Sequence, residues 1–395
     1  MYPPATHSPR YPVTHSPMKL LTPLFLLTIL LSGCRGATPA AAPVTPVAPA
    51  PETPPLPSAT PTRVPPTETP LPTATSCPSL PETPVTLLPL DGPAAARKAE
   101  YSGMAWYGDN LILLPQYPDR FAAQAEGADG AVFTLPKDAI LNALEADPVP
   151  PLAPQALPVE WGDLPRQVRG FEGFEAIVFD GDTVYLTIEA SPGGRMKGYL
   201  VRGSIAPDLS LLQVDAATLT EIPLPADISN KSDEALLLLP GGNVAAFYEV
   251  NGAQLNPDPA ASVFSPALEM LASLPFPRLE YRFTDVTALD GEGVFWGINY
   301  FYPGDVEQRT DDDPLAARYG VGETHAQNDA VERLVALRWT DEGATLLDTP
   351  PLYLQLLPDG EARNWEGLVR LDDRGFLLVT DKYPETLLGF VRVGR

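Results

Sequence analysis

The chain has 395 residues, of which 49 are prolines, and a formal net charge of −24. This charge excludes nucleic acid as a partner, because phosphate contacts need clustered Lys and Arg side chains. Both cysteines, Cys34 and Cys77, precede the part of the chain whose composition suits a folded domain. A disulfide framework, a thiolate zinc site and a cysteine nucleophile are therefore excluded from that domain.

The N-terminus reads as a targeting segment. Met18 and Lys19 precede an apolar run, Leu20–Leu30, that is too short to span a membrane comfortably. The sequence Leu31-Ser-Gly-Cys34 that follows resembles the lipobox of bacterial lipoproteins. We predict a lipoprotein signal peptide over 1–33 and acylation of Cys34, so that membrane lipid is a partner and the protein is extracytoplasmic. An ordinary secretory signal is the alternative. Residues 1–17 fit poorly with both, and Met18 is an alternative start of translation.

Residues 34–84 are dominated by Pro, Ala and Thr. Such a composition cannot bury a core and favours extended polyproline II conformations. It predicts a disordered linker, about 150 Å long if fully extended, that holds the domain away from the membrane. The folded domain is predicted over 85–395, and we expect it to be a monomer.

One pattern recurs after residue 100: a polar residue, an apolar run, a Gly-containing turn, a second apolar run and another polar residue. Strands of about 5–6 residues around such a turn fit a β-hairpin. Repeated hairpins with strand-like segments between them predict an all-β fold of the β-propeller type. The five hairpins are predicted at 102–116, 175–189, 234–249, 285–299 and 366–381.

The segments between hairpins suit the outer strands of propeller blades, as Arg333–Trp339 illustrates. After the fifth hairpin the sequence holds one more strand, Leu387–Val393. We therefore predict that Val85–Leu90 pairs with it and closes the ring, which otherwise leaves an exposed strand edge. Five blades are countable, and a sixth, degenerate blade within 102–175 or 285–366 is the alternative.

The residue that opens each hairpin starts the innermost strand, which lines the propeller axis. A ring of carboxylates is therefore predicted at one mouth of the channel, formed by Glu175, Glu234, Asp285 and Glu366. Crowded carboxylates raise each other's pKa unless a cation intervenes, and carboxylate and amide oxygens suit Ca²⁺. We predict Ca²⁺ as a cofactor, with a polar channel that holds no metal as the alternative. The further candidate ligands end the second strands: Glu189, Asn299 and Asp381.

Three basic residues flank the hairpin ends and are predicted to bind a phosphate or an oxyanion: Lys231, Arg282 and Lys382. Each could instead be a surface charge or a packing residue. The stretch 301–330 has no strand pattern and contains His325, the one histidine after residue 15. A stretch of this length is either a lid over the channel or a solvated insertion.

Several motifs resemble, in the same order, the esterase-like-activity-of-phytase family. They are Tyr101-Ser-Gly-Met104, Phe174-Glu-Ala-Ile177, Asp233-Glu-Ala-Leu236, Thr284-Asp-Val286 and Asn364-Trp-Glu-Gly-Leu368. The resemblance runs through 101–395 and implies a secreted or periplasmic propeller that hydrolyses esters or phosphoesters. Gln116 and Asn299 depart from the family pattern, which bears on activity more than on fold.

No serine nucleophile elbow, zinc-protease motif, phosphate-binding loop or dinucleotide fingerprint is present in the sequence. Two hypotheses follow. The first is a lipid-anchored hydrolase of a small-molecule ester or phosphoester, assisted by a divalent cation that bridges the acidic protein and an anionic substrate. The second is a non-catalytic surface propeller that binds a ligand or a protein, since a fold does not by itself specify function.

Overall fold

A computed structural model describes residues 79–394. The predicted signal peptide, Cys34 and most of the predicted linker lie outside the described residues. Residues 79–83 of that linker are paired: Ser79–Leu80 runs parallel to Val321–Gly322, and Glu82–Thr83 runs parallel to Leu352–Leu354. Pairing therefore starts at the first residue that the structure describes, Ser79.

The described chain folds into five β-sheet blades around an axis, and the predicted propeller is confirmed. Each innermost strand contacts the innermost strand of the next blade, and the fifth contacts the first, which completes the ring. The innermost strands of blades 1 to 5 are Tyr101–Tyr107, Phe171–Asp180, Asp233–Leu238, Leu279–Val286 and Trp365–Leu371.

All five predicted hairpins are present, because each innermost strand pairs antiparallel with the strand that follows it. In blade 2 the turn contains Gly181 at φ 56°, a left-handed conformation that glycine adopts without steric cost. The second strands of blades 1 to 5 are Asn110–Pro115, Thr183–Ala190, Val244–Tyr248, Val294–Phe301 and Gly375–Thr380.

A third and a fourth strand complete each blade. The third strands are Gly130–Pro136, Lys197–Ile205, Ala260–Phe264, Val331–Thr340 and Leu388–Arg392. The fourth strands are Gln155–Glu160, Leu212–Ile222, Met270–Pro275, Leu352–Leu354 and Val85–Leu88. Three short strands are additions to blade 4: Val250–Asn251 beside its innermost strand, Gly343–Leu346 beside its third and Glu82–Thr83 beside its fourth. The fourth strands of blades 1 and 2 also pair with each other in parallel, at Val159 and Leu212.

The N-terminal strand closes the ring as predicted. Val85–Leu88 pairs antiparallel with Leu388–Arg392, with Leu88 opposite Leu388 and Val85 opposite Val391. The alternative of a sixth blade is wrong for the described residues. The interval after the first hairpin instead holds the helix Lys137–Glu145, and the interval after the fourth holds the helix Pro314–Tyr319.

The helical segments are short and lie between strands. Besides the two helices just named, they are the α-helix Leu164–Gln167 and the 3₁₀ helices Gly92–Ala95, Arg97–Ala99, Pro118–Gln124, Pro192–Gly194, Val306–Gln308 and His325–Gln327. Within residues 79–394, no helix has the length and apolar character needed to cross a membrane.

The core lies between neighbouring blades, because both faces of each sheet are covered. Val244–Tyr248 is buried at every position for this reason, and so reads as a continuous apolar run. Trp365 is fully buried against residues of blades 4 and 5. Burial of such large side chains contributes about 1.5–3 kcal/mol each.

Candidate active site

A polar cavity of about 130 Å³ lies at one end of the propeller axis, and we call it the axial cavity. All five blades contribute to its wall, through either the start of an innermost strand or the end of a second strand. Its lining residues are Glu100, Tyr101, Ser102, Gln116, Glu175, Glu189, Asn230, Glu234, Arg282, Asn364, Glu366, Asp381 and Lys382.

A β-bulge in each innermost strand sets the position of these polar residues. In blade 2 the pairing register shifts between Phe174 and Ile177, at Glu175. The same shift occurs at Glu234 in blade 3 and at Glu366 in blade 5. A bulge twists the strand and redirects a side chain, and bulges are common beside active sites. In blades 2, 3 and 5 the acid that opens the hairpin pattern is therefore the residue that the bulge turns toward the axis.

Five of the seven predicted metal ligands line the axial cavity: Glu175, Glu234, Glu366, Glu189 and Asp381. The other two do not. Asp285 accepts hydrogen bonds from the backbone N–H groups of Val286 (2.8 Å) and Leu368 (2.6 Å), which turns its carboxylate into the packing between blades 4 and 5. The predicted ring of four therefore places three carboxylates at the cavity.

Asn299 is turned away from the cavity by three hydrogen bonds. Its amide nitrogen donates to the backbone oxygens of Glu280 and Arg282, and its side-chain oxygen accepts from Nε of Arg333 at 2.7 Å. With both ends of the amide engaged, Asn299 supports the backbone beneath Arg282.

Arg282 lies among the carboxylates. Its Nε donates to Oε2 of Glu249 at 2.6 Å, and its Nη2 lies 3.1 Å from both oxygens of Glu234 and 3.0 Å from Oε1 of Glu366. Its Nη1 donates to Oδ1 of Asn364 at 3.1 Å. The side chain is 9% exposed, so these are desolvated contacts. The guanidinium therefore supplies positive charge at the place where the sequence predicts a metal ion.

The two predicted lysines differ in their positions. Lys382 lines the cavity, and its ammonium lies 3.2 Å from Oε2 of Glu100. Lys231 does not line it. Its buried ammonium lies 3.4 Å from Oε2 of Glu249, a carboxylate that is itself fully buried. Of the three basic residues, Arg282 and Lys382 are thus positioned to meet a ligand, whereas Lys231 supports Glu249.

The buried carboxyls differ in their affinity for protons. Burial and the nearby Glu189 charge hold the pKa of Glu175 well above its usual range. Burial, followed by the charge of Glu249, raises the pKa of Glu189 to about 8. Burial raises the pKa of Glu366 to about 7, although Arg282 opposes this increase. Protonated and ionised carboxyls therefore coexist in one cavity near neutral pH.

Glu234 and Glu249 form a tightly coupled pair. Burial raises the pKa of Glu234 well above its usual value. Burial also opposes ionisation of Glu249, but Lys231, Arg282 and a hydrogen bond with Glu234 outweigh it and lower its pKa. When two buried carboxyls are adjacent and cations lie closer to one of them, that one ionises first and the other keeps its proton. Glu249 is thus the ionised member and Glu234 the protonated one.

Among the residues that the structure describes, no group of three or more Asp, Glu, His or Cys side chains has an arrangement that could hold a metal ion. The predicted Ca²⁺ site stays a prediction.

A larger cavity of about 540 Å³, the outer cavity, adjoins the axial cavity. The two share Arg282, Asp381, Lys382, Asn230 and Asn364. The other residues that line the outer cavity are Tyr300, Tyr302, Asp305, Glu361, Ala362 and Tyr383. Its volume is in the range usual for ligand sites.

The insertion 301–330 is ordered against the N-terminal segment. Glu82 accepts hydrogen bonds from the backbone and hydroxyl of Thr324 and from the backbone and Nδ1 of His325 (2.8 Å to Nδ1). Nε2 of His325 accepts from the backbone N–H of Glu332, so the ring is neutral. Burial lowers the pKa of His325 in agreement with this assignment. The histidine is therefore structural, and the insertion reaches the outer cavity through Tyr302 and Asp305.

Sequence reasoning missed three features of the site. Gln116 donates to Oε1 of Glu175 at 2.9 Å and so orients it. Arg282 was identified as basic, but not as the partner of three carboxylates. The outer cavity, with Tyr302 at its wall, was not predicted. The hairpin pattern ends with Gln116 in blade 1, whereas it ends with an acid or Asn in the other blades. This difference is the one sequence signal that blade 1 contributes a different side chain to the site.

No protein-family model matches the chain, and no curated protein matches it. Solved structures with a similar fold include a GH43_1 enzyme from Xanthomonas citri, at 11% identity over 77% of this chain and 90% of that chain, with a TM-score of 0.41. A GH43 endo-arabinanase from Bacillus licheniformis has 10% identity over 76% and 94%, with a TM-score of 0.37. These similarities concern the fold alone, and the resemblance to the phytase-like family stays a prediction.

Proposed function

We propose that the axial cavity is the active site of a hydrolase that works by general acid–base catalysis between buried carboxyls. The observation that carries the proposal is the convergence of six carboxyl side chains on one cavity, where Arg282 contacts Glu234 and Glu366 but not Glu175 or Glu189. Pairs of titratable groups whose surroundings separate their pKa values are typical of acid–base sites. The reaction class is hydrolysis of a C–O bond in an acetal or a carboxylic ester.

Glu175 is the proposed general acid. Burial and the nearby Glu189 raise its pKa well above the usual range, which favours the protonated form. The amide nitrogen of Gln116 donates to Oε1 at 2.9 Å, which leaves Oε2 to carry the proton. Transfer of that proton to the leaving oxygen would accompany cleavage of the C–O bond.

Glu366 is the proposed general base. Its pKa is raised to about 7, so a substantial fraction is ionised at the pH of most extracytoplasmic surroundings. Nη2 of Arg282 donates to Oε1 at 3.0 Å and fixes the carboxylate. The other oxygen would take a proton from the attacking water, and the hydroxide equivalent would form the new C–O bond.

The charge of the cavity bears on the substrate. Six carboxyl side chains line the axial cavity, against the two basic side chains of Arg282 and Lys382. A bare phosphoester dianion would be repelled by the ionised fraction of these groups. An uncharged or positively charged ester or acetal therefore suits the metal-free site better than a phosphoester does.

A second candidate is the metal-assisted phosphoester or ester hydrolase that the phytase-like resemblance implies. Among the described residues, Glu175, Glu189 and Asp381 line the axial cavity and have no Lys, Arg or His nitrogen within 4 Å. The resemblance implies that a divalent cation would bridge these carboxylates and an anionic substrate. Binding would need them to move closer together, because the described residues hold no group of three acids arranged for a metal ion.

Hydrolysis assays separate the candidates. The substrates are p-nitrophenyl acetals, acyl esters and phosphate, each with Ca²⁺ or with EDTA. The acid–base proposal expects acetal or acyl ester hydrolysis that EDTA leaves unchanged and that falls about 10²–10⁴-fold in Glu175→Gln and Glu366→Gln. Asp311→Asn, in the insertion and outside both cavities, is the control. Phosphate hydrolysis that requires Ca²⁺ favours the second candidate, and no hydrolysis at all leaves the non-catalytic binding propeller.

We also propose that the protein is lipid-anchored and extracytoplasmic. The support is the match of Leu31-Ser-Gly-Cys34 to a lipobox, followed by the Pro-rich linker. Two acyl chains are sufficient for stable attachment to a membrane surface.

A further inference from the structure

The insertion 301–330 contacts blade 4 through a buried ion pair. Asp313, in the insertion, accepts hydrogen bonds from Nη1 of Arg333 at 2.7 Å and from Nη2 at 3.1 Å. Arg333 is fully buried on the third strand of blade 4, and the side chain of Asp313 is 11% exposed. Two parallel hydrogen bonds of this kind hold a guanidinium and a carboxylate in one relative orientation. Asp313 therefore fixes the position of the Arg333 side chain.

Arg333 in turn binds the second strand of blade 4. Its Nε donates to the side-chain oxygen of Asn299 at 2.7 Å, and the two residues lie opposite each other in the strand pairing. The amide nitrogen of Asn299 donates to the backbone oxygens of Glu280 and Arg282. These two carbonyls flank Tyr281 on the innermost strand. A row of hydrogen bonds therefore joins the insertion to the backbone on both sides of Tyr281.

The backbone at Tyr281 has a conformation that tyrosine rarely adopts. Its φ is 71°, in the left-handed region, which is an outlier for a bulky side chain. Glu280 and Tyr281 are also the extra residues of a bulge, at which the pairing with Val250–Asn251 shifts register. Such a conformation persists only where its surroundings fix it. The hydrogen bonds of Asn299 supply that constraint, and Arg282 is the residue that follows the bulge.

The guanidinium of Arg282 depends on this bulge for its place. It contacts three separate carboxyls at 2.6–3.1 Å. Hydrogen bonds from nitrogen to oxygen weaken outside about 2.7–3.2 Å, so a backbone shift of about 1 Å at the bulge would break part of this set. The support behind the bulge therefore determines which carboxyls Arg282 meets.

We propose that Asp313 and Arg333 are positioning residues for Arg282, so that the insertion sets where positive charge lies in the axial cavity. Neither residue lines the axial or the outer cavity, and both act through the bulge that precedes Arg282. For catalysis the inference rests on the proposed function, because Arg282 fixes the proposed general base.

The test variant is Asp313→Asn in the full chain. Asparagine caps a helix as well as aspartate does, so the start of the helix Pro314–Tyr319 is retained, but the charge that holds Arg333 is removed. Tyr353→Phe is a milder second variant, since it removes only the hydroxyl that Nη1 of Arg333 contacts at 3.0 Å. Asp312→Asn is the matched control, because Asp312 is an exposed neighbour outside both cavities.

The first readout is the pH profile of kcat/KM for the acetal or ester that the chain hydrolyses. In Asp313→Asn the acid limb, along which Glu366 ionises, is expected to move to higher pH by about half a unit or more, because Arg282 opposes the raised pKa of Glu366. Tyr353→Phe should move the limb in the same direction and by less, and Asp312→Asn should leave it in place. A purely structural loss would lower the rate without moving the limb.

The second readout needs no hydrolysis. It is a double-variant cycle of urea unfolding at pH 8.5 that combines Asp313→Asn with Arg282→Lys, which keeps the charge and loses the contacts of the guanidinium fork. Changes at independent sites multiply the unfolding equilibrium constant to within about twofold. We expect Asp313→Asn to raise that constant at least about fivefold less in the Arg282→Lys chain than in the unaltered chain.

An acid limb that Asp313→Asn leaves in place would overturn the inference and leave the proposed function standing. If the unaltered chain hydrolyses neither acetals nor acyl esters, the proposed function fails and the cycle alone decides. Effects of the two substitutions that simply multiply would then overturn the positioning role, and the fivefold deficit would support it.

Discussion

Removal of the Arg282 guanidinium is expected to destabilise the protein strongly, and more so at high pH. The side chain is 9% exposed and lies within 2.6–3.1 Å of the carboxyls of Glu249, Glu234 and Glu366. Loss of one partner of a buried ion pair costs about 3–5 kcal/mol, because the remaining charge is left uncompensated. For Arg282→Gln we expect a loss of that size at pH 8.5.

The pH dependence follows from the protons that the variant can take up. Without the guanidinium, the pKa values of Glu234 and Glu366 rise further above their unfolded values. Native protein then binds more protons than unfolded protein, and stability is lost as pH rises, by about 1.4 kcal/mol per pH unit for each extra proton. At pH 5.5 these carboxyls are protonated, so the cost of Arg282→Gln should be smaller by at least about 1.4 kcal/mol.

Urea unfolding followed by tryptophan fluorescence measures both quantities. The matched control is Arg338→Gln, because Arg338 pairs with Glu292 at 3.9 Å and the two side chains are 46% and 83% exposed. An exposed pair of this kind contributes about 0–1 kcal/mol and changes little between the two pH values. A loss for Arg282→Gln that equals the control, or that is the same at pH 5.5 and pH 8.5, would refute the account of the cluster.

Four further predictions follow. The stability of the unaltered protein should fall as pH rises from 5 toward 8, because burial raises the pKa of Glu189 in the folded protein to about 8, well above its unfolded value. Urea midpoints that rise over this pH interval would contradict the prediction. Glu82→Gln should lower the free energy of unfolding in urea by about 1.5–3 kcal/mol, since it removes charge-assisted hydrogen bonds from Thr324 and His325. A loss below about 0.5 kcal/mol, the size usual for a surface substitution, would argue against the N-terminal segment as a support. Deletion of residues 84–90 should lower the melting temperature, because the third strand of blade 5 loses its partner; an unchanged melting temperature would show that ring closure is not stabilising. Cys34→Ser should move the protein from the membrane to the soluble fraction, and a variant that stays bound after a salt wash would exclude the lipid anchor.

The repeated hairpin could be predicted because its physical requirements are local. Apolar strands on both sides of a glycine turn specify a hairpin within about fifteen residues, and the chain contains five of them. The third strand of the fifth blade, Leu388–Arg392, needs a partner on its outer edge, and Val85–Leu88 provides it. The strands Ala260–Phe264 and Met270–Pro275 were missed, because exposed edge strands such as the second have a mixed composition with little periodic signal.

The candidate site could be predicted only in part, because strand register and side-chain direction depend on bulges that a sequence pattern does not report. Asp285 occupies the same place in the pattern as Glu175, Glu234 and Glu366. In blade 4, however, the register shift lies between Phe283 and Val286, and the carboxylate of Asp285 instead accepts two backbone hydrogen bonds.

Blade 4 also supplies Arg282, three residues before Asp285, and this arginine changes the chemistry of the cavity. A ring of acids alone would need a metal ion or retained protons to be stable. With a guanidinium fixed on Glu234, Glu249 and Glu366, some carboxyls are held ionised while Glu175 and Glu189, beyond its reach, keep their protons. The asymmetry between blade 4 and the other blades therefore separates the proton affinities of the carboxyls, and the proposed reaction depends on that separation.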